Sequence, residues 1–171
     1  MKYIKTYEAL KGVTFKGWLK RNPQNIDIHI INASHKNLID LNGIEDFVNL
    51  EILYCHDNKL TSLPDLSNLT NLKELHCYNN KLTSLSDLSN LTNLKELYCS
   101  RNKLTSLPDL SNLINLNLLN CFDNKLTSLP NLTNLINLEQ LYCQNNQLTS
   151  LPDLSNLINL KCSYCPDNKL V

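Results

Sequence analysis

Cys162-Ser-Tyr-Cys165 has the spacing of a thiolate pair that holds zinc or cycles as a redox couple. A lone pair of this kind supplies only half of a tetrahedral site. If the segment is a strand, the two thiols also fall on opposite faces. Cys55, Cys77, Cys99, Cys121 and Cys143 follow one another at intervals of 22 residues, and the same interval relates the acids Asp65, Asp87 and Asp109, with Asn131 in the next place and Asp153 after it. A residue type that returns at a fixed interval reports a repeating structure before it reports chemistry. The thiols therefore read as a column of small buried groups, expected to stay reduced. The acids read as solvated turn residues rather than paired catalytic carboxylates. With only 3 Gly there is no phosphate-cradling loop. The expectation is no enzyme, no catalytic residue, no metal and no cofactor.

The chain has 171 residues, with 16 Lys plus Arg against 16 Asp plus Glu, so the formal net charge is zero. A general binder of nucleic acid or of membrane surfaces carries a basic excess, so neither is expected as a partner. No run of about 20 apolar residues exists to cross a bilayer, and the first residues lack the apolar stretch of an export signal. A cytoplasmic setting is the expectation, which also fits free thiols. The four N-x-[ST] sites at Asn32, Asn68, Asn90 and Asn131 then read as by-products of an Asn-rich repeat.

The elements that must position these residues follow from the period. Leu50, Leu72, Leu94, Leu116, Leu138 and Leu160 are 22 residues apart, and the register extends back to Ile28. Seven units begin at 28, 50, 72, 94, 116, 138 and 160, the last one partial, after a leader of residues 1–27. One unit reads Leu94-Lys-Glu-Leu97-Tyr98-Cys99-Ser-Arg101-Asn102-Lys-Leu104, then Thr105-Ser-Leu107-Pro108-Asp109-Leu110-Ser-Asn112-Leu113. Positions 4 and 6 alternate around position 5, as in a short strand with Leu97 and Cys99 inward and Tyr98 outward. Leu at every third position of the second half suits a tight 3₁₀-like or extended return. One unit cannot bury these side chains alone, so neighbours must stack around a continuous core.

These residues resemble the leucine-rich repeat, L-x-x-L-x-[L/C]-x-x-N-x-L, in the 22-residue class of bacterial internalins and of a phosphatase regulatory subunit. The variant with Cys at position 6 and Asn- and Lys-rich filling is similar to repeats of large DNA viruses of amoebae and of AT-rich bacteria. If viral, the chain would work in the host-cell cytoplasm. The resemblance implies an α/β solenoid with a parallel sheet on its concave face. It also implies that the position 9 residues Asn58, Asn80, Asn102, Asn124, Asn146 and Asn168 bond turn backbone in adjacent units. Unit 1 departs from the pattern, with Ala33 at the Cys place and Lys36 at the Asn place.

The leader lacks the repeat. Ile4, Tyr7 and Leu10, then Phe15, Trp18 and Leu19, have helical spacing, with Gly12 between them and Asn22-Pro23 as a stop. It reads as a partly helical cap over the first unit. At the other end Ser163 replaces the inward Leu of position 4, and an exposed last repeat invites pairing.

Comparing units within the chain separates scaffold from site. The return is nearly constant, whereas the outward positions 5, 7 and 8 vary. Tyr54, His56, His76, Tyr78, Tyr98, Arg101, Phe122, Tyr142 and Tyr164 fall on that one face. Aromatic residues and Arg are enriched where proteins meet. The function expected is a non-enzymatic protein- or peptide-binding module using the concave face. The alternative is a structural protein that self-associates through its C-terminal repeat. The oligomeric expectation is a monomer, or a weak dimer through that end.

Overall fold

The computed structural model describes residues 12–22 and 28–170. It contains helix α1 (Phe15–Arg21) and seven three-residue strands: β1 (Ile30–Asn32), β2 (Ile52–Tyr54), β3 (Glu74–His76), β4 (Glu96–Tyr98), β5 (Leu118–Asn120), β6 (Gln140–Tyr142) and β7 (Cys162–Tyr164). The strands form one sheet in chain order, every pair parallel. Each residue sits beside the one 22 places on, as in Leu75 beside Leu97. A parallel step needs a crossover, and here each repeat supplies its own return. The result is a solenoid of stacked turns.

Alternation along each strand decides what is inside. The middle residues Ile31, Leu53, Leu75, Leu97, Leu119 and Leu141 are buried, as are Ala33 and the Cys of position 6 in units 2 to 6. The return is built from single turns. Leu113 N–H donates to the Leu110 carbonyl and Leu116 N–H to that of Leu113, and this pair of i to i+3 bonds recurs in units 2 to 6. Leu at every third place therefore lands on the core side. A continuous 3₁₀ helix occurs among the described residues only at Ile44–Asp46, in the atypical first unit. Asp65, Asp87, Asp109 and Asp153 each accept the backbone N–H two residues on. The Ser67, Ser111 and Ser155 N–H groups and hydroxyls hold Asp65, Asp109 and Asp153 below the ordinary carboxylate range. These acids close turns.

Two Asn ladders tie one unit to the next. At position 9, Asn124 Oδ1 accepts the Leu104 N–H at 3.0 Å. Its Nδ2 donates to Cys99 O, Cys121 O and Phe122 O at 3.1, 3.0 and 3.3 Å. The bonds to backbone of the preceding unit recur at Asn58, Asn80, Asn102, Asn146 and Asn168. The second ladder is not evident from the motif. Asn71, Asn93, Asn115, Asn137 and Asn159 each donate to a carbonyl 23 residues back.

Thr14 caps α1, its hydroxyl accepting the Gly17 N–H. Phe15 and Trp18 are buried, stacked at 5.6 Å, and Phe15 meets Phe47 edge-on. Val13 extends the first unit by bonds to Asn37 and Ile39. Gly12 does not separate two described helices. It lies so close to Ile39 that a Cβ there would collide with the Ile39 side chain. Ile4, Tyr7 and Leu10 lie outside the described residues.

One expectation about the thiols is corrected. Cys55, Cys77, Cys99 and Cys121 are free and buried, but Cys143 and Cys165 are joined in a disulfide with Cα atoms 4.6 Å apart. That separation falls within the range a disulfide spans. Cys165 is only partly buried and Ser163 stands exposed where units 1 to 6 bury Ile or Leu, whereas the four free thiols are fully buried. Burial pushes the Cys77 and Cys121 thiols up to about 12, and those of Cys55 and Cys99 well above their ordinary value. They are core atoms, not nucleophiles. The Cys162-Ser-Tyr-Cys165 pair is split, since Cys165 Sγ is bonded to Cys143 while Cys162 stays free.

Candidate functional site

The outward residues of β2 to β6, with the turns that follow them, line the concave face. The parallel register places the position 5 side chains in a row: Asn32, Tyr54, His76, Tyr98, Asn120, Tyr142 and Tyr164. Neighbouring strands lie about 4.8 Å apart, close to the separation of stacked rings, so the row becomes a column. His76 stacks on Tyr98 at 4.4 Å and 17°, and Tyr54 leans on His76 at 4.6 Å. At position 7, His56 stacks on Tyr78 at 4.3 Å and 9°.

These columns flank a cavity of about 410 Å³ lined by His76, Tyr78, Tyr98, Ser100, Arg101, Asn120 and Phe122. Five of the nine residues singled out from the sequence meet there. Tyr54 and His56 join through their stacks. Tyr142 stands beside the cavity on β6, its hydroxyl donating to Gln140. Tyr164 is remote on β7 and 53% exposed. Ser100 and Asn120 were not singled out, because small or polar residues give no signal until register sets them among aromatic ones. Asn120 Oδ1 and, one unit further, Gln144 Oε1 are buried acceptors without a hydrogen-bond partner among the described residues.

Charge is arranged around the rings. The Tyr98 hydroxyl donates to Glu96 at 2.9 Å, and His76 Nε2 lies 3.1 Å from Glu74. Burial, then the hydrogen bond to Glu96 and the nearby carboxylates, push the Tyr98 phenol up to about 12. It is a neutral donor at any physiological pH. Burial acts to raise the Asp57 carboxyl, but hydrogen bonds from His56 and Asn79 outweigh it, and the group stays below its ordinary value. Asp57 is therefore an anion near neutrality, and its contribution is lost only as pH falls through that lowered value.

Position 8 is not a strand position. His35, Asp57, Asn79, Arg101, Asp123, Asn145 and Asp167 all have φ between +51° and +56°. Asn, Asp and His tolerate this left-handed region best, and the composition of position 8 carried that signal. Arg101 is the exception. Its guanidinium lies 5.4 Å from the Phe122 ring centroid, at the cavity wall. The left-handed conformation costs an ordinary L-residue roughly 1–2 kcal/mol, and an exposed cation–π contact returns about 0.5–1. Arg101→Asn is therefore expected to raise stability by about 0.5–1 kcal/mol in urea denaturation while removing the only cation lining the cavity. A loss of stability would show that the Arg101 contacts outweigh the backbone cost.

A family model described as leucine-rich repeats (2 copies) matches residues 48–90, 70–112, 92–134 and 114–156. YopM from Yersinia enterocolitica is similar in structure, with TM-score 0.74 and 26% identity over 96% of this chain and 37% of that one. An internalin (inlF) from Listeria monocytogenes shares the fold, with TM-score 0.75 and 24% identity over 85% of this chain and 44% of its own. The functional domain of InlJ from Listeria monocytogenes, described as including a cysteine ladder, has TM-score 0.50 and 30% identity over 84% of this chain and 40% of that one. This chain thus spans about two fifths of the length of these structures. No curated protein sequence matches.

Proposed function

The chain belongs to the leucine-rich repeat family, whose fold is typical of protein interaction modules, and from that premise we propose that it is a non-enzymatic module holding a protein or peptide across its concave face. The observation that carries this reading is the cavity between units 3 and 5. Its wall combines stacked aromatic rings, one guanidinium and one acceptor, Asn120 Oδ1, without a hydrogen-bond partner among the described residues. Rigid rings offer contact area at low entropic cost, and Tyr and Arg dominate interface hot spots. Solenoids present their concave surfaces for extended binding. The acids of the return are engaged in turns and burial raises the pKa of the four buried free thiols, so neither column supplies a catalytic pair.

Panning a displayed random-peptide library against the intact chain tests this. The comparison is a Tyr78→Ala, Tyr98→Ala double variant with an unchanged melting transition. Hot-spot truncations cost about 2 kcal/mol or more each, so affinity of the selected peptides is expected to fall at least about 30-fold. Peptides held equally by both proteins would place recognition elsewhere and defeat the reading.

A second reading is self-association along β7. Its outer edge bears no strand among the described residues, and Ile158 and Tyr164 beside it are 85% and 53% exposed. Unpaired strand edges template pairing. A mass that rises with concentration in sedimentation would support it, and a constant monomer mass would remove it.

A further inference from the structure

We propose that His35, His56 and Asp57, on the concave side of the first two units, form a site for a first-row divalent metal ion, zinc in particular. Their donor atoms all lie within 4.8 Å of one another. His35 Nε2 is 3.5 Å from Asp57 Oδ2, and His56 Nδ1 is 2.7 Å from the same oxygen. Around tetrahedral zinc, with bonds of about 2.0–2.1 Å, neighbouring donors stand about 3.4 Å apart. His35 already has that spacing, and His56 needs to draw back by roughly 0.7 Å. Two imidazoles and one carboxylate form a donor set suited to zinc and its first-row neighbours.

The surroundings hold the donors in place. The His56 ring is stacked flat on Tyr78 and meets His35 edge-on at 5.2 Å. The Asn79 side-chain amide donates to Asp57 Oδ1, leaving Oδ2 turned to the two imidazoles. Such outer partners orient metal ligands. Asp57 and His56 are 23% and 15% exposed, and His35, at 66%, forms the open side, where a fourth ligand enters. A second group, Glu74, His76 and Glu96, is close enough to bind an ion, but Glu96 already accepts the Tyr98 hydroxyl. Without metal the first group is a hydrogen-bonded imidazole–carboxylate cluster, and the experiment separates the two states.

Zinc chloride is titrated calorimetrically into the chain and into the His35→Asn and Asp57→Asn variants. Asn occupies the same left-handed position in two other units, at Asn79 and Asn145, so the backbone tolerates both changes. One saturable site per chain is expected in the wild type. Losing an outer-shell partner weakens a metal site about 10–100-fold, so loss of a ligand is expected to weaken it at least about 100-fold. With cobalt(II) in place of zinc, the absorption spectrum should show tetrahedral intensity without a thiolate charge-transfer band. Absence of saturable binding overturns the proposal, as does equal binding by the variants. A thiolate band would assign the ion to Cys162, and loss only in His76→Asn would assign it to the second group; either result also overturns it.

Discussion

Asn124→Ala is expected to lower stability by about 3–5 kcal/mol, a large loss for a polar residue. The Asn124 side chain meets four backbone groups in two units and is 9% exposed. The Leu104 N–H depends on it alone, whereas the Cys99, Cys121 and Phe122 carbonyls each keep a second donor, from Asn102 Nδ2, Asn146 Nδ2 and the Arg101 N–H. Alanine removes these bonds and adds no partner. The buried Leu104 N–H left without a partner costs roughly 1–3 kcal/mol, and each carbonyl, keeping one donor, loses only the net worth of a bond, about 0.5–1.5 kcal/mol. Urea denaturation should show the midpoint shift with a similar slope. Asn168→Ala removes the same kinds of bond at a more exposed site, so water replaces part of what is lost and the cost should be smaller. A loss below about 1 kcal/mol at Asn124 would mean that water enters the turn and the ladder contributes little.

Leu97→Ala is expected to cost a comparable 2–5 kcal/mol or so, by a different route. Leu97 is fully buried, between Leu75 and Leu119 in register. Truncation opens a cavity that Leu94 and Leu104, themselves fully buried in a close-packed core, cannot collapse to fill. Leu154, near the last strand, is only partly buried, so Leu154→Ala should cost less than about 2 kcal/mol. In a solenoid each unit is stabilised by its neighbours, so the contrast reads out how support falls along the stack. Equal costs would mean that Leu154 is buried by contacts outside one chain, which would favour the self-association reading.

Much of the fold was legible because the repeat is a translation. A period of 22 sets which residue lies beside which, and alternation within a strand sets which side each faces. Leu97, Cys99 and Tyr98 could therefore be placed inward, inward and outward before any coordinates. The role of the position 9 Asn was legible only through the resemblance to the leucine-rich repeat, with which the donors and acceptor of an amide agree. Position 8 was misread as part of the strand face. Its Asp, Asn and His content reflects a left-handed turn, and only Arg101 departs from it. The thiol column was read correctly in four units. The pair Cys143 and Cys165 departs from that reading, since the register sets their Cα atoms 4.6 Å apart, within the range a disulfide spans.

The sequence by itself determined the unit, its register and the face on which variable residues gather, because these depend on nearest-neighbour geometry that every repeat shares. Tertiary structure alone decided which of those residues act together. His56 on Tyr78, His76 on Tyr98, Arg101 over Phe122 and Asp57 between two imidazoles are pairings of ring planes and rotamers. Register brings their Cα atoms within reach. Side-chain torsions, settled by packing and by the hydrogen bonds of Asn79 and Glu96, decide whether the atoms converge.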